Sequence, residues 1–187
     1  MSSHHPHHLH ALAAAIRCGQ LSAVQASTQC LERIARHNGA LHAFIATDRQ
    51  GALHQAQQLD AAAQAGQPMG PLHGVPLAVK DLFQICGKTT TAGSTVYPQP
   101  ANADATVITR LRQAGAVLLG TLNLDEFAAG GTGINPHYGR CRNPWDVERI
   151  TGGSSSGSAV AVAAGLVPAN WALIPAGRRA CRPPTAA

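Results

Sequence analysis

The amino-acid sequence predicts an α/β fold in which helices cover a mixed, mostly parallel sheet. Two short apolar runs, at residues 77–79 and 116–119, are bounded by charge, glycine or proline, as buried strands commonly are. A helical pattern near residues 103–114 lies between the two runs. Strands that alternate with helices in this way favour a layered arrangement around a largely parallel sheet.

Two helices are predicted before the first of these strands. In residues 21–37, apolar side chains recur at positions 24, 31, 34 and 35. Ser22 is the expected N-cap of this helix, and the Asn38-Gly39 pair is expected to end it. The second helix is predicted over residues 50–65, which carry on one face Ala52, Ala56, Leu59 and Ala63.

The remaining segments are loops and one further helix. Residues 67–71 contain two prolines and a glycine and break the preceding helix, and residues 87–95 form a loop rich in Gly and Thr. Residues 130–151 form a long loop of the kind that commonly serves function. A small, apolar helix is then predicted over residues 156–165.

A Gly/Ser segment opens directly into this last helix. Residues 152–158 read Gly-Gly-Ser-Ser-Ser-Gly-Ser, so backbone N–H groups and several hydroxyls collect at a helix N-terminus, where negative charge is favoured. A flexible tether is the simpler interpretation, but a tether would not lead straight into a patterned helix. A phosphate-binding loop would require a lysine or a glycine spacing that this segment lacks. The segment therefore indicates hydroxyl chemistry or anion binding.

A second segment places a lysine at the end of a buried strand. Residues 70–81 read Gly-Pro-Leu-His-Gly-Val-Pro-Leu-Ala-Val-Lys-Asp, in which Lys80 follows the apolar run. Burial disfavours the ammonium form and lowers the pKa of a lysine, which makes the side chain available as a base near neutral pH. A surface lysine that merely ends a strand is the alternative, and it is the better interpretation of a lysine taken alone.

Composition argues against several other classes of protein. The net charge of +5 is modest, and three of the arginines lie among the last ten residues, so the rest of the chain is closer to neutral. The remaining charges are not clustered, and no nucleic-acid surface is therefore predicted. The five cysteines have neither disulfide nor metal spacing, and no apolar run is long enough for a membrane span or a signal peptide. We therefore expect a cytoplasmic protein with no metal or cofactor, and a disordered His-rich leader at residues 1–10.

Together, the two segments resemble the amidase signature family. Three further stretches, at residues 121–127, 131–139 and 142–146, are similar to the middle region of that family. The resemblance covers roughly residues 10–168 and only about the first third of a typical member. It implies that residues 11–168 are the N-terminal portion of a single amidase-signature domain, and that the fold is incomplete in this chain.

The resemblance also implies roles for individual residues. The family uses a Ser-cisSer-Lys unit for acyl transfer, which places the lysine at Lys80 and the bridging serine at Ser154, with Ser155 as the neighbour to consider if the register is shifted by one. We expect Lys80 Nζ and Ser154 Oγ to lie within hydrogen-bond distance of each other. Substrate contacts are assigned to Gly131, Thr132 and Gly133.

The nucleophilic serine of that unit has no counterpart in the sequence. It is expected about two dozen residues after Ser154, near Arg178, but no serine follows Ser158. Residues 169–187 lack the expected segment, and codons can be chosen for residues 171–184 that read Gly-Ser-Asp-Thr-Gly-Gly-Ser in another frame. We therefore predict an aberrant, out-of-frame tail and an inactive chain. A short protein with its own C-terminus is the alternative.

Three functions remain compatible with the sequence. The first is an amidase that hydrolyses a small-molecule carboxamide through an acyl-enzyme. The second is the glutaminase subunit of a tRNA-dependent amidotransferase, which would have partner subunits and no direct contact with nucleic acid. Residues 130–139 are more like those of generic amidases, which favours the first. The third is a non-catalytic fragment.

Overall fold

A computed structural model of the chain describes residues 9–172. Five α-helices lie in this range: α1 Leu9–Arg17, α2 Ala23–Leu41, α3 Arg49–Gln64, α4 Thr106–Gln113 and α5 Ser156–Ala163. Six strands lie in the same range: β1 Phe44–Thr47, β2 Pro76–Lys80, β3 Thr89–Thr90, β4 Gln99–Pro100, β5 Val117–Leu122 and β6 Asn170–Trp171.

Four of these strands form one mixed sheet in the order β1-β5-β2-β6. Strand β2 is parallel to both β5 and β6, whereas β1 is antiparallel to β5. The prediction of a mixed, mostly parallel sheet with helices is therefore confirmed. Strand β6 lies beyond residue 168, the predicted end of the domain, and Asn170 pairs with Ala78.

Helices cover both faces of this sheet because the side chains of its strands alternate between two apolar clusters. Ala78 and Leu119 pack with buried residues of α2, α3 and α5 on one face. Leu77, Val79 and Leu118 pack with residues of α1 and α4 on the other face. Successive side chains of a strand point to opposite faces, so β2, which is buried along its whole length, contributes to both clusters.

Helix α2 begins as predicted and ends later than predicted. Ser22 accepts a hydrogen bond from Gln25 N and the Gln25 side chain bonds back to Ser22 N, which completes a capping box. The helix runs through Asn38 and Gly39, so the predicted stop there was wrong. The Asn38 side chain pairs with both N and O of Phe44, at 2.8 and 3.1 Å, and so ties the helix to β1. The turn occurs at His42, which is left-handed at φ 52°.

The other predicted elements differ from the structure mainly at their ends. Helix α3 is displaced by one residue from the prediction, α4 lies within the predicted range, and β5 extends three residues past Leu119. Residues 130–151 contain no helix or strand, as expected. Helix α1 was not predicted. Its first residues, Leu9 and His10, belong to the segment 1–10 that was predicted to be a disordered leader. Residues 1–8 of that segment lie outside the described range.

Candidate active site

The structure brings together the lysine and the serines that the two sequence motifs contain. Lys80, the last residue of β2, is fully buried. Its Nζ lies 2.9 Å from Oγ of Ser154 and 2.8 Å from Oγ of Ser155. The expected distance between Lys80 and Ser154 is therefore observed, and Ser155 is an additional partner of the same amine.

The serines are held where a loop enters α5. Ser155 occupies the N-cap position of the helix, and the peptide bond between Gly153 and Ser154 is cis. The backbone N–H of Gly157, in the first turn, donates to the carbonyl of Asn123 at 2.9 Å. This bond fixes the start of α5 against the segment that follows β5, and thereby places the serine hydroxyls beside the end of β2.

Burial changes the protonation of the lysine. The apolar surroundings lower the pKa of Lys80 from 10.5 to about 8, while the negative charge of Asp125 opposes that change. With a pKa of about 8, about one lysine in ten is neutral at pH 7, compared with about one in three thousand for an ordinary lysine. Lys80 therefore has an appreciable population of the neutral amine, which can accept a proton from a hydroxyl.

Asp125 joins the serine loop to the long loop that precedes it. Its backbone N–H donates to the carbonyl of Ser154 at 3.1 Å. Its buried carboxylate accepts hydrogen bonds from the N–H of Gly133 at 2.8 Å and from that of Thr132 at 3.1 Å. This aspartate belongs to one of the family-like stretches of the sequence, but no role was predicted for it. A polar residue three positions after the end of an apolar strand was the available signal.

The predicted substrate-binding segment therefore lies close to the serines. Gly131 and Thr132 are exposed, whereas Gly133 is buried. Because Asp125 already takes up the N–H groups of Thr132 and Gly133, a role of this segment in substrate binding depends on its other atoms. That role stays a prediction.

Two asparagines also anchor this region and were missed. The Asn135 amide donates to the carbonyls of Gly93 and Leu124 at 2.8 and 2.7 Å, and its oxygen accepts from two backbone N–H groups. The Asn123 amide donates to the carbonyls of His42 and Gly139. Each of these buried amide side chains forms hydrogen bonds with backbone groups that are not paired within a helix or a sheet.

The lysine amine and the two serine hydroxyls are close enough to exchange protons. The position expected for the nucleophilic serine, near Arg178, lies outside the described residues. Within residues 9–172, no cluster of three or more His, Cys, Asp or Glu side chains is arranged to hold a metal ion. In the same range, no helix has the length and apolar character needed to cross a membrane.

Comparison with known proteins adds a family and several relatives. The sequence profile described as Amidase matches residues 25–172. The glutamyl-tRNA(Gln) amidotransferase of Azoarcus sp. (strain BH72) has a subunit that is 54% identical over 150 residues, which is 80% of this chain and 31% of that protein. The chain thus spans about a third of the length of this relative.

Solved structures are similar over the same region. The native peptide amidase from Stenotrophomonas maltophilia superposes with a TM-score of 0.80 at 38% identity, covering 86% of this chain and 34% of that one. A second similar structure is a chain of a vestigial protein complex, described as revealing the evolutionary origins of an s-triazine catabolic enzyme. It superposes on this chain with a TM-score of 0.83 at 44% identity. It covers 86% of this chain and 35% of that one. The described fold thus matches the N-terminal part of such structures.

Proposed function

The chain belongs to the amidase signature family, and from this premise we propose that its lysine–serine site serves the hydrolysis of a carboxamide to a carboxylate and ammonia. The observation that supports the proposal is the buried contact between Lys80 Nζ and Ser154 Oγ, at 2.9 Å. A lysine whose pKa is lowered by burial, bonded to a serine hydroxyl, can activate a second serine by taking its proton through the first.

The reaction would proceed in two stages. Neutral Lys80 accepts the proton of Ser154 while Ser154 Oγ accepts that of the nucleophilic serine, whose oxygen bonds to the amide carbon. The tetrahedral oxyanion collapses, the C–N bond breaks, and the leaving nitrogen receives the proton back through Ser154. Water, deprotonated along the same route, then cleaves the ester and releases the carboxylate. Ser155 shares the amine and would help to orient it.

We infer that a chain with these 187 residues would not complete this reaction. The nucleophilic serine is expected near position 178, which carries Arg, so Lys80 and Ser154 would have no nucleophile to activate. We propose that the tail is read out of frame from about Trp171, where the alternative codons begin. The purified chain should then release no ammonia from primary amides or glutamine above a blank reaction, and turnover by this chain would contradict the proposal.

A hybrid enzyme tests the roles of the two residues. Residues 25–172 would replace the matching third of the Stenotrophomonas maltophilia peptide amidase, which then supplies the remaining two thirds. We expect the hybrid to release ammonia from a peptide amide. Lys80→Ala or Ser154→Ala should each reduce kcat by orders of magnitude, because members of a catalytic unit fail together. Lys88→Ala, at the chain's other lysine, is the matched control and should be near normal.

A second candidate function is the glutaminase subunit of a tRNA-dependent amidotransferase. The observation in its favour is the 54% identity to the Azoarcus amidotransferase subunit, which exceeds the 38% identity to the peptide amidase. A second hybrid, built into that subunit, separates the candidates. Glutamine hydrolysis that requires the partner subunits would favour the amidotransferase, and hydrolysis of amides by the unpartnered protein would favour a stand-alone amidase.

A cytoplasmic location is part of the same proposal. The four cysteines in the described residues, Cys18, Cys30, Cys86 and Cys141, form no disulfide. Free thiols are typical of reducing compartments, where cytosolic enzymes act.

A further inference from the structure

We propose that Asp125 is a positioning residue of the lysine–serine site, which acts through its hydrogen bonds to the serine loop and the 130–151 loop and through its negative charge. The inference rests on the proposed function, since it concerns how the site is held for proton transfer. The aspartate lies just after β5, on the segment between the sheet and the 3₁₀ turn Glu126–Ala128. From there it reaches the two loops that enclose the serines.

The contacts of Asp125 run in two directions. Its N–H donates to the carbonyl of Ser154, which links the sheet to the serine loop. Its two carboxylate oxygens each accept one N–H, from Gly133 and from Thr132, which links the sheet to the 130–151 loop. The residue is only 3% exposed, so these bonds are poorly replaced by water. One residue therefore joins three segments of the chain: the one that follows β5, the 130–151 loop and the serine loop.

Two glycines show how closely the loops pack around the carboxylate. A Cβ on Gly130 would lie 2.1 Å from Asp125 Oδ2, and a Cβ on Gly153 would lie 2.4 Å from the same atom. Both distances are far below van der Waals contact. Gly153 immediately precedes Ser154, so the carboxylate forms part of the wall against which the serine loop is shaped.

The charge of the carboxylate acts on the lysine as well. Burial favours the neutral amine of Lys80, and the negative charge of Asp125 favours the ammonium form. The balance between these effects sets the pH at which Lys80 becomes a base. Removing the charge should therefore lower the pKa of Lys80, whereas a loss of packing alone would expose the amine and raise it. The sign of the change distinguishes a positioning charge from a merely structural residue.

The chain is suited to a direct measurement because it contains two lysines, Lys80 and Lys88. In a Lys88→Arg background, ¹³Cε-labelled lysine gives one side-chain signal, whose chemical shift reports the pKa of Lys80. We expect Asp125→Asn, which keeps the shape of the side chain, to lower this pKa by about one unit. Glu126→Gln, one residue further along and paired with His137 instead, is the charge-matched control and should leave the pKa unchanged.

The hybrid peptide amidase provides a second readout that does not depend on how the 187-residue chain behaves alone. Lys80 must be neutral to act, so activity rises as the pH passes through its pKa. In Asp125→Asn the acid limb of the kcat/KM profile should shift to lower pH. The kcat should fall at least about tenfold, because one of the two N–H groups of the 130–151 loop loses its carboxylate acceptor beside the serine loop. Glu126→Gln should change neither quantity.

The outcomes separate this inference from the proposed function. An inactive parent hybrid would count against the function, while the lysine titration would still test the aspartate. An active hybrid in which Asp125→Asn leaves the acid limb and kcat unchanged would overturn the inference. A pKa of Lys80 that rises or stays constant in Asp125→Asn would overturn it equally.

Discussion

Replacing Lys80 by methionine should change how the stability of the protein depends on pH. In the folded chain, burial lowers the pKa of Lys80 from 10.5 to about 8. Between these values the unfolded state holds the proton and the folded state does not, so the free energy of unfolding rises with pH across this window. Below pH 8 the folded state bears the full cost of the buried charge, about 3 kcal/mol.

The size of the effect follows from the two pKa values. From pH 7 to pH 9, the titration of Lys80 alone should add about 1 kcal/mol to the free energy of unfolding of the parent protein. Lys80→Met lacks this contribution. The buried thiols of Cys30 and Cys141 have pKa values raised to about 11, so they lower stability as the pH rises above 9. Both proteins contain these thiols, and their effect cancels in the difference.

The assay is denaturant unfolding of both proteins, followed by far-ultraviolet circular dichroism at pH 7, 8 and 9. We expect the stability of Lys80→Met relative to the parent to decrease by about 1 kcal/mol between pH 7 and pH 9. Lys88→Met, at an exposed lysine paired with Asp48, is the matched control and should show no such change over this range. Parallel pH profiles for parent and Lys80→Met would refute the reasoning that Lys80 is charged at a cost in the folded protein.

Three further predictions concern the fold and the tail. Asn38→Ala removes both hydrogen bonds to Phe44 and should lower the free energy of unfolding by about 1–2 kcal/mol in denaturant titrations. Gly39→Ala is the neighbouring control. A Cβ added there meets nothing within 4 Å, so this substitution should raise the free energy of unfolding slightly. Ser22→Ala breaks the capping box and should cost about 1 kcal/mol by the same measurement, while an unchanged midpoint would contradict the cap. Sequencing the DNA of codons 171–187 should show a second frame encoding Gly-Ser-Asp-Thr-Gly-Gly-Ser, and any other translation would remove support for the out-of-frame tail.

Much of the fold follows from local pattern. The Ala-rich face of α3 repeats with the period of a helix. The runs before Lys80 and after α4 are short, uninterrupted and apolar, as fully buried strands are, so the residues themselves predict these elements. The serine capping of α2 depends on residues three apart and is equally local. The association of Lys80 with Ser154 came from the family resemblance of two motifs, because nothing in either motif alone requires the other.

Features that depend on distant partners escaped prediction. Helix α2 continues past a sequence that commonly ends helices, because Asn38 is bound by the backbone of Phe44 in the next strand. Strand β1 is short and its apolar pattern is weak, and only its pairing with β5 makes it a strand. Helix α1 likewise buries Leu12 and Ile16 against a cluster formed by other elements.

The features of the candidate site also separate into those that are local in the sequence and those that depend on distant partners. By itself, the sequence determined which groups are candidates for chemistry: a lysine after an apolar strand and serines at the start of a helix. Only the tertiary structure decided that Lys80 contacts two serines and that Asp125 joins the serine loop to the 130–151 loop. The reason is physical, since periodicity reports which face of an element is buried, whereas a hydrogen bond between two loops depends on where the sheet and helices place them.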